Sequence, residues 1–132
     1  MVRGSCLCGA ASWEAEGDFE LMTHCHCSIC RKSHGAAFGT YVGTSAEGFC
    51  WTGGEDLIDH YESSPGFRRP FCKLCASVVP GASSKGRVFM AAGNLDDDPV
   101  TRPVAHIFSE SKAPWWEISD DLPQFEESPP GG

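Results

Sequence analysis

The chain has 132 residues and a mass of 14.2 kDa, one domain's worth, which excludes a multidomain enzyme. Ten Lys+Arg against eighteen Asp+Glu leave a formal charge of -8, which repels a phosphate backbone and argues against nucleic-acid binding. No apolar run approaches the roughly 18 residues of a membrane span, and the opening MVRGSCLCGAASWE lacks the apolar stretch of a secretory signal. The expectation is a cytoplasmic protein without membrane or nucleic-acid partners.

Seven short stretches, rich in β-branched or aromatic residues or alternating in polarity, predict strands: residues 11–16, 20–24, 38–42, 49–52, 57–61, 87–91 and 104–108. Turn signals such as Gly53-Gly54, Ser64-Pro65-Gly66 and Pro80-Gly81 separate them. One short helix is predicted over residues 28–34, after a cysteine cluster and ending at Gly35. The expected fold class is therefore mostly β, several short antiparallel strands with little helix. From Glu117 onward there are five acids, no bases and a Ser-Pro-Pro-Gly-Gly end. A single domain over residues 1–125 is expected, with a mobile acidic and Pro-Gly tail over residues 126–132.

Eight cysteines are too many for chance in a reduced compartment, where clustered cysteines signal metal rather than disulfides. Seven fall into tight groups: Cys6 and Cys8, then Cys25, Cys27 and Cys30, then Cys72 and Cys75. A pair one or two residues apart presents both thiolates to a tetrahedral zinc from one turn. Seven divides into four plus three. Joining Cys6 and Cys8 to Cys72 and Cys75 gives a closed structural site, and leaves Cys25, Cys27 and Cys30 as an open one whose fourth position is free for water, a substrate thiol or a histidine. A zinc-ribbon pairing of Cys27 and Cys30 with Cys72 and Cys75 is equally compatible with the spacing.

Arg31 and Lys32 follow the triplet directly, and that adjacency makes them candidates for lowering nearby thiol pKa values or gripping an anionic substrate, ahead of the alternative of ordinary solvated surface charge. Arg69, with Arg68, precedes the second cysteine pair and offers a guanidinium to a carboxylate. His24, His26 and His34 surround the triplet, and His26 or His34 is a candidate proton carrier. Cys50, between Phe49 and Trp51, reads as a buried small hydrophobe. At least one of Trp115 and Trp116 is expected to cover the core, and Asp96, Asp97 and Asp98 read as a solvent-facing turn.

Three motifs in order, Gly4-Ser5-Cys6-Leu7-Cys8-Gly9, His24-Cys25-His26-Cys27-Ser28-Ile29-Cys30-Arg31-Lys32 and Phe71-Cys72-Lys73-Leu74-Cys75, resemble the glutathione-dependent formaldehyde-activating enzyme family. Later blocks extend the likeness: Ser63-Ser64-Pro65-Gly66, Ala92-Gly93-Asn94-Leu95-Asp96, His106-Ile107-Phe108 and Lys112-Ala113-Pro114-Trp115. The resemblance implies a β-tent zinc fold with two zinc ions, a structural one on Cys6, Cys8, Cys72 and Cys75 and a catalytic one on Cys25, Cys27 and Cys30. It also implies a carbon–sulfur lyase that adds glutathione to formaldehyde, or the reverse, so the expected partners are a small thiol and an aldehyde. The alternative is a non-catalytic, zinc-stabilised binding domain, since a fold does not fix a function. One departure stands out: the family often has glycine after the second C-x-x-C, and here it is Ala76. A turn with positive φ there would strain alanine.

Overall fold

Alternating side chains build short strands that pair locally, and the computed structural model describes residues 1–17, 19–83 and 85–128. In chain order the elements are β1 (Val2–Ser5), β2 (Ser12–Ala15), β3 (Glu20–Cys25), α1 (Ser28–His34), β4 (Gly39–Ser45) and β5 (Phe49–Gly53). They continue with β6 (Ile58–Ser64), β7 (Phe67–Cys72), β8 (Gly81–Ala82), β9 (Arg87–Ala91) and β10 (Ala105–Ile107). A three-stranded sheet has the order β1-β2-β5, a five-stranded sheet β10-β3-β4-β9-β8, and β6 pairs with β7 alone. The mostly β expectation holds. Among the described residues these strands all pair antiparallel except β10 with β3, which pair in parallel.

The predicted helix over 28–34 and the strand over 87–91 form at those bounds. Three strands escaped the pattern. β1 and β7 carry Gly4 and Pro70, which break a strand signal, and β8 has two residues. The core gathers Trp13, Val42, Val79, Val88 and Met90 with Cys6 and Cys72, so two of the cysteines are themselves packed into the apolar interior. Trp13 is 1% exposed and meets Trp51 edge-on, at 5.7 Å between ring centroids. Such a pair adds about 1 kcal/mol to the area it buries.

Three side-chain expectations are corrected. Cys50 is exposed, because in β5 it points away from the face that carries Trp51 and Phe49 toward the core. Trp115 and Trp116 are also exposed, at 70% and 39%, although Trp116 meets Phe38 edge-on at 5.9 Å between ring centroids. Finally, the three aspartates are not simply solvated: Asp96 accepts from Ser5, while Asp97 and Asp98 accept from Arg3 and Arg102.

Beyond β10 the chain returns to run parallel beside it, through a bridge between His106 and Gln124. The amide of His106 donates to Pro123, that of Phe125 to His106, and that of Phe108 to Glu127, at 2.9, 2.9 and 3.2 Å. These bonds make residues 123–127 a strap on the free edge of β10. Of the tail expected over 126–132, residues 129–132 lie outside the described residues.

Candidate metal centres

Tight turns deliver the first cysteine set. After β1, the amide of Gly9 donates to the carbonyl of Cys6 at 3.0 Å and the amide of Ala11 donates to Cys6 Sγ at 3.3 Å, which curls the C-x-C segment around its sulfurs. After β7, the amide of Ala76 donates to the carbonyl of Cys72 at 2.7 Å. Ala76 has φ +64°, the left-handed turn anticipated at that position. Across the gap, the amide of Leu7 donates to Ser77 Oγ at 2.9 Å and joins the two turns.

The sulfurs of Cys6, Cys8, Cys72 and Cys75 consequently lie within 4.8 Å of one another. The fit to a metal can be tested on spacing: a tetrahedral ion with bonds of about 2.3 Å to sulfur needs its sulfurs about 3.8 Å apart. Cys6 and Cys8 are 3.6 Å apart, and Cys8 and Cys72 3.9 Å. A four-thiolate set at this spacing suits zinc, which favours closed sulfur sites.

The second set sits where β3 runs into α1. Cys25 ends the strand and Cys27 caps the helix, its Sγ accepting from the amide of Cys30 at 3.3 Å. At the far end Gly35 adopts φ +60° and donates back to Arg31, so this seven-residue helix is closed at both ends and Cys30 is buried. The three sulfurs lie within 4.8 Å of one another. Among the described residues no fourth side chain joins this group, and the zinc-ribbon pairing left open by the spacing is not the one formed.

The histidines near the triplet are engaged elsewhere. His24 Nδ1 meets Thr40 Oγ1 at 2.7 Å, His26 Nε2 meets His106 Nδ1 at 2.8 Å, and His34 Nε2 meets Tyr41 Oη at 2.6 Å. Gly39 leaves room for the His34 ring, since a Cβ there would come within 2.6 Å of it. Burial pushes His24 and His34 below the ordinary imidazole range. Burial, then the neighbouring charges of His106 and His24, pushes His26 down to about 4.

Arg69 reaches the same group from β7. Both terminal nitrogens stand 3.9 Å from Cys30 Sγ, and Nη1 donates to Tyr41 Oη at 3.3 Å. Arginine only donates, so Tyr41 Oη accepts from Arg69 and keeps its hydrogen for another acceptor, with His34 Nε2 in reach. Hydrogen bonding from Cys25, opposed by burial and reinforced by Cys27 and Arg69, holds Cys30 down at about 5, while the bond to Cys30 and burial push Cys25 up. The hydrogen bonds from Cys25 and Cys27 and the Arg69 charge favour the thiolate form at Cys30, and a dication held by the three cysteines would favour it at all of them.

Arg31 spends its Nε on the carbonyl of Ser111 at 3.1 Å, and Lys32 is exposed. Lys32 and Arg69 share a cleft of about 440 Å³ with Tyr61, Ser63, Phe71 and Val78, running from α1 toward the turn that carries Cys72 and Cys75. Tyr41, His106 and Asp120 were not picked out as site residues in the sequence. Tyr41 meets Arg69 across 28 positions, His106 meets His26 across 80 and Asp120 meets His106 across 14, so no local spacing signals these contacts.

A mostly β domain with one four-cysteine and one three-cysteine set, each able to hold a metal ion, defines a class of protein. Sequence comparison matches residues 1–111 to the family described as glutathione-dependent formaldehyde-activating enzyme, and the chain belongs to that family. A relative from Halomonas elongata, named "Putative glutathione-dependent formaldehyde-activating enzyme", is 28% identical over 129 residues, covering 89% of this chain and 81% of its own. A crystal structure of a Rhodobacter sphaeroides protein shares the fold with a TM-score of 0.60 at 19% identity, over 74% of this chain and 92% of that one.

Proposed function

We propose that the protein is a zinc-dependent carbon–sulfur lyase that adds a glutathione-like thiol to formaldehyde or a related aldehyde, or runs the reverse. The observation that carries this reading is the incomplete donor set: Cys25, Cys27 and Cys30 converge without a fourth protein ligand among the described residues. A zinc ion held there supplies a Lewis-acidic position at which a thiol loses its proton near neutral pH. In the addition, sulfur bonds to the carbonyl carbon, the C=O π pair moves to oxygen, and the proton lost by the thiol ends on that oxygen.

The chain's own residues bind and orient. Arg69 places a cation beside Cys30 and fixes Tyr41, so the triplet faces positive charge in a molecule of net charge -8. Lys32 and Arg69 on the wall of the 440 Å³ cleft offer cations to the carboxylates of a tripeptide thiol, and the cleft is of ordinary ligand size. Holding thiol and aldehyde together is where most of the gain lies, because a free thiol already adds to formaldehyde in water.

Cobalt-substituted protein tests this against the non-catalytic binding domain. The expected result is a changed thiolate-to-metal absorption on adding glutathione, with hemithioacetal formation faster than in a Cys27→Ser control. No spectral change at millimolar glutathione, with no acceleration over that control, leaves the binding domain as the reading.

A further inference from the structure

A second set of polar groups enters the three-cysteine turn from the C-terminal side. The amide of His26, between Cys25 and Cys27, donates to the carbonyl of Ile107 at 3.0 Å, so β10 holds this turn by its backbone. The neighbouring side chain does the same: His106 Nδ1 lies 2.8 Å from His26 Nε2, and His106 Nε2 lies 3.0 Å from both oxygens of Asp120. His26 is fully buried and His106 is 2% exposed. Phe38 packs against both rings, at 5.0 and 6.3 Å, and limits their rotation.

The direction of this chain follows from donor chemistry. A carboxylate only accepts, so His106 donates from Nε2 to Asp120. With both rings neutral, His106 Nδ1 is then an acceptor, and His26 must donate to it from Nε2. That leaves His26 Nδ1 as a bare lone pair, and this buried atom has no hydrogen-bond partner among the described residues. Only a hydrogen-bond donor can satisfy it.

We propose that Asp120 is a positioning residue for the three-cysteine centre, setting through His106 the tautomer and orientation of His26 and hence the Cys25–Cys27 turn. Asp120 lies beyond residue 111, where the family match ends, and the strap that follows it is bonded to the backbone of His106 itself. The C-terminal segment therefore completes the centre instead of merely covering it. Outer hydrogen-bond partners of a metal site change affinity by about ten- to a hundredfold when removed, and here that effect is expected at the lower end because His26 flanks the ligands.

The proposal rests on the triplet holding a metal, and two separate readouts keep the two ideas apart. Two-bond proton–nitrogen correlation spectra of zinc-loaded, 15N-histidine-labelled protein should show His26 and His106 as Nε2–H tautomers. Asp120→Ala should mix the tautomers at both residues and make zinc leave the triplet to a chelator about tenfold more readily, with the four-cysteine zinc unchanged. Asp120→Asn, whose carbonyl still accepts, should restore both properties. If Asp120→Ala does not fold, His106→Phe removes the acceptor for His26 while keeping a ring against Phe38, and should produce the same selective loss. An Nδ1–H tautomer in the wild type, a tautomer change without weaker zinc at the triplet, or equal weakening at both centres overturns the proposal. Wild-type protein that binds no metal at the triplet overturns the metal reading instead, and the tautomers still decide whether Asp120 orders the histidines.

Discussion

At Ala76 one residue carries a measurable strain. Its φ of +64° is a left-handed conformation that costs an L-residue about 1–2 kcal/mol, and it is held there by the 2.7 Å bond from its amide to Cys72. Glycine removes that cost but loses about 0.5–1 kcal/mol of backbone entropy on folding. Ala76→Gly should therefore raise stability by about 0.5 kcal/mol in chemical unfolding of the zinc-loaded protein. A lower stability would mean that the Ala76 methyl, on the wall of the cleft, contributes more through packing than the turn costs. The family resemblance exposed this position in the sequence. It could not expose the Arg69–Tyr41–His34 or Asp120–His106–His26 chains, whose members meet only once β4, β7 and β10 lie beside the triplet.

Elements were legible where local pattern alone makes them. Residues 28–34 follow a cysteine cluster and end at Gly35, and they fold as read. β1 did not announce itself because its partners hold it: β2 on one edge, and on the other a bridge from Gly4 to Leu95 reinforced by Asp97 gripping Arg3 at 2.9 and 3.0 Å. Side-chain and backbone hydrogen bonds from Arg3 hold the Asp97 carboxyl down at about 2, below the ordinary carboxylate range. A depressed folded pKa contributes stability above the unfolded value and loses it as pH falls through the folded one. Asp97→Asn should thus melt lower than wild type at about pH 6, and the gap should close between about pH 4 and about pH 2. A gap that stays constant over that range would place the loss in something other than this ion pair. Because both carboxylate and guanidinium are substantially exposed, the gap should be small and should shrink with added salt.

For the molecule as a whole, the two cysteine sets differ in where their members lie in the chain. Cys6 and Cys72 are both in the apolar core, and the four-cysteine set joins the turn after β1 to the end of β7, 64 or more residues away. No sheet contains both of those strands, so these four sulfurs link the β1-β2-β5 sheet to the β6-β7 pair. The triplet closes only a short loop between β3 and α1, which already have backbone bonds of their own. Binding a metal to ligands distant in sequence is folding free energy, whereas binding to a preformed turn adds little to the global fold. Cys72→Ser should therefore cost more than about 4 kcal/mol, appearing as insoluble protein or a collapsed melting temperature, because it leaves a buried polar group and frees the long link. Cys27→Ser should leave a folded domain with a similar melting temperature and one zinc fewer per chain. Metal content and melting curves measured on both variants decide the point. If the two lose stability equally, with zinc retained in the Cys72 variant, the long link is not what holds the sheets, and packing around Trp13 must suffice.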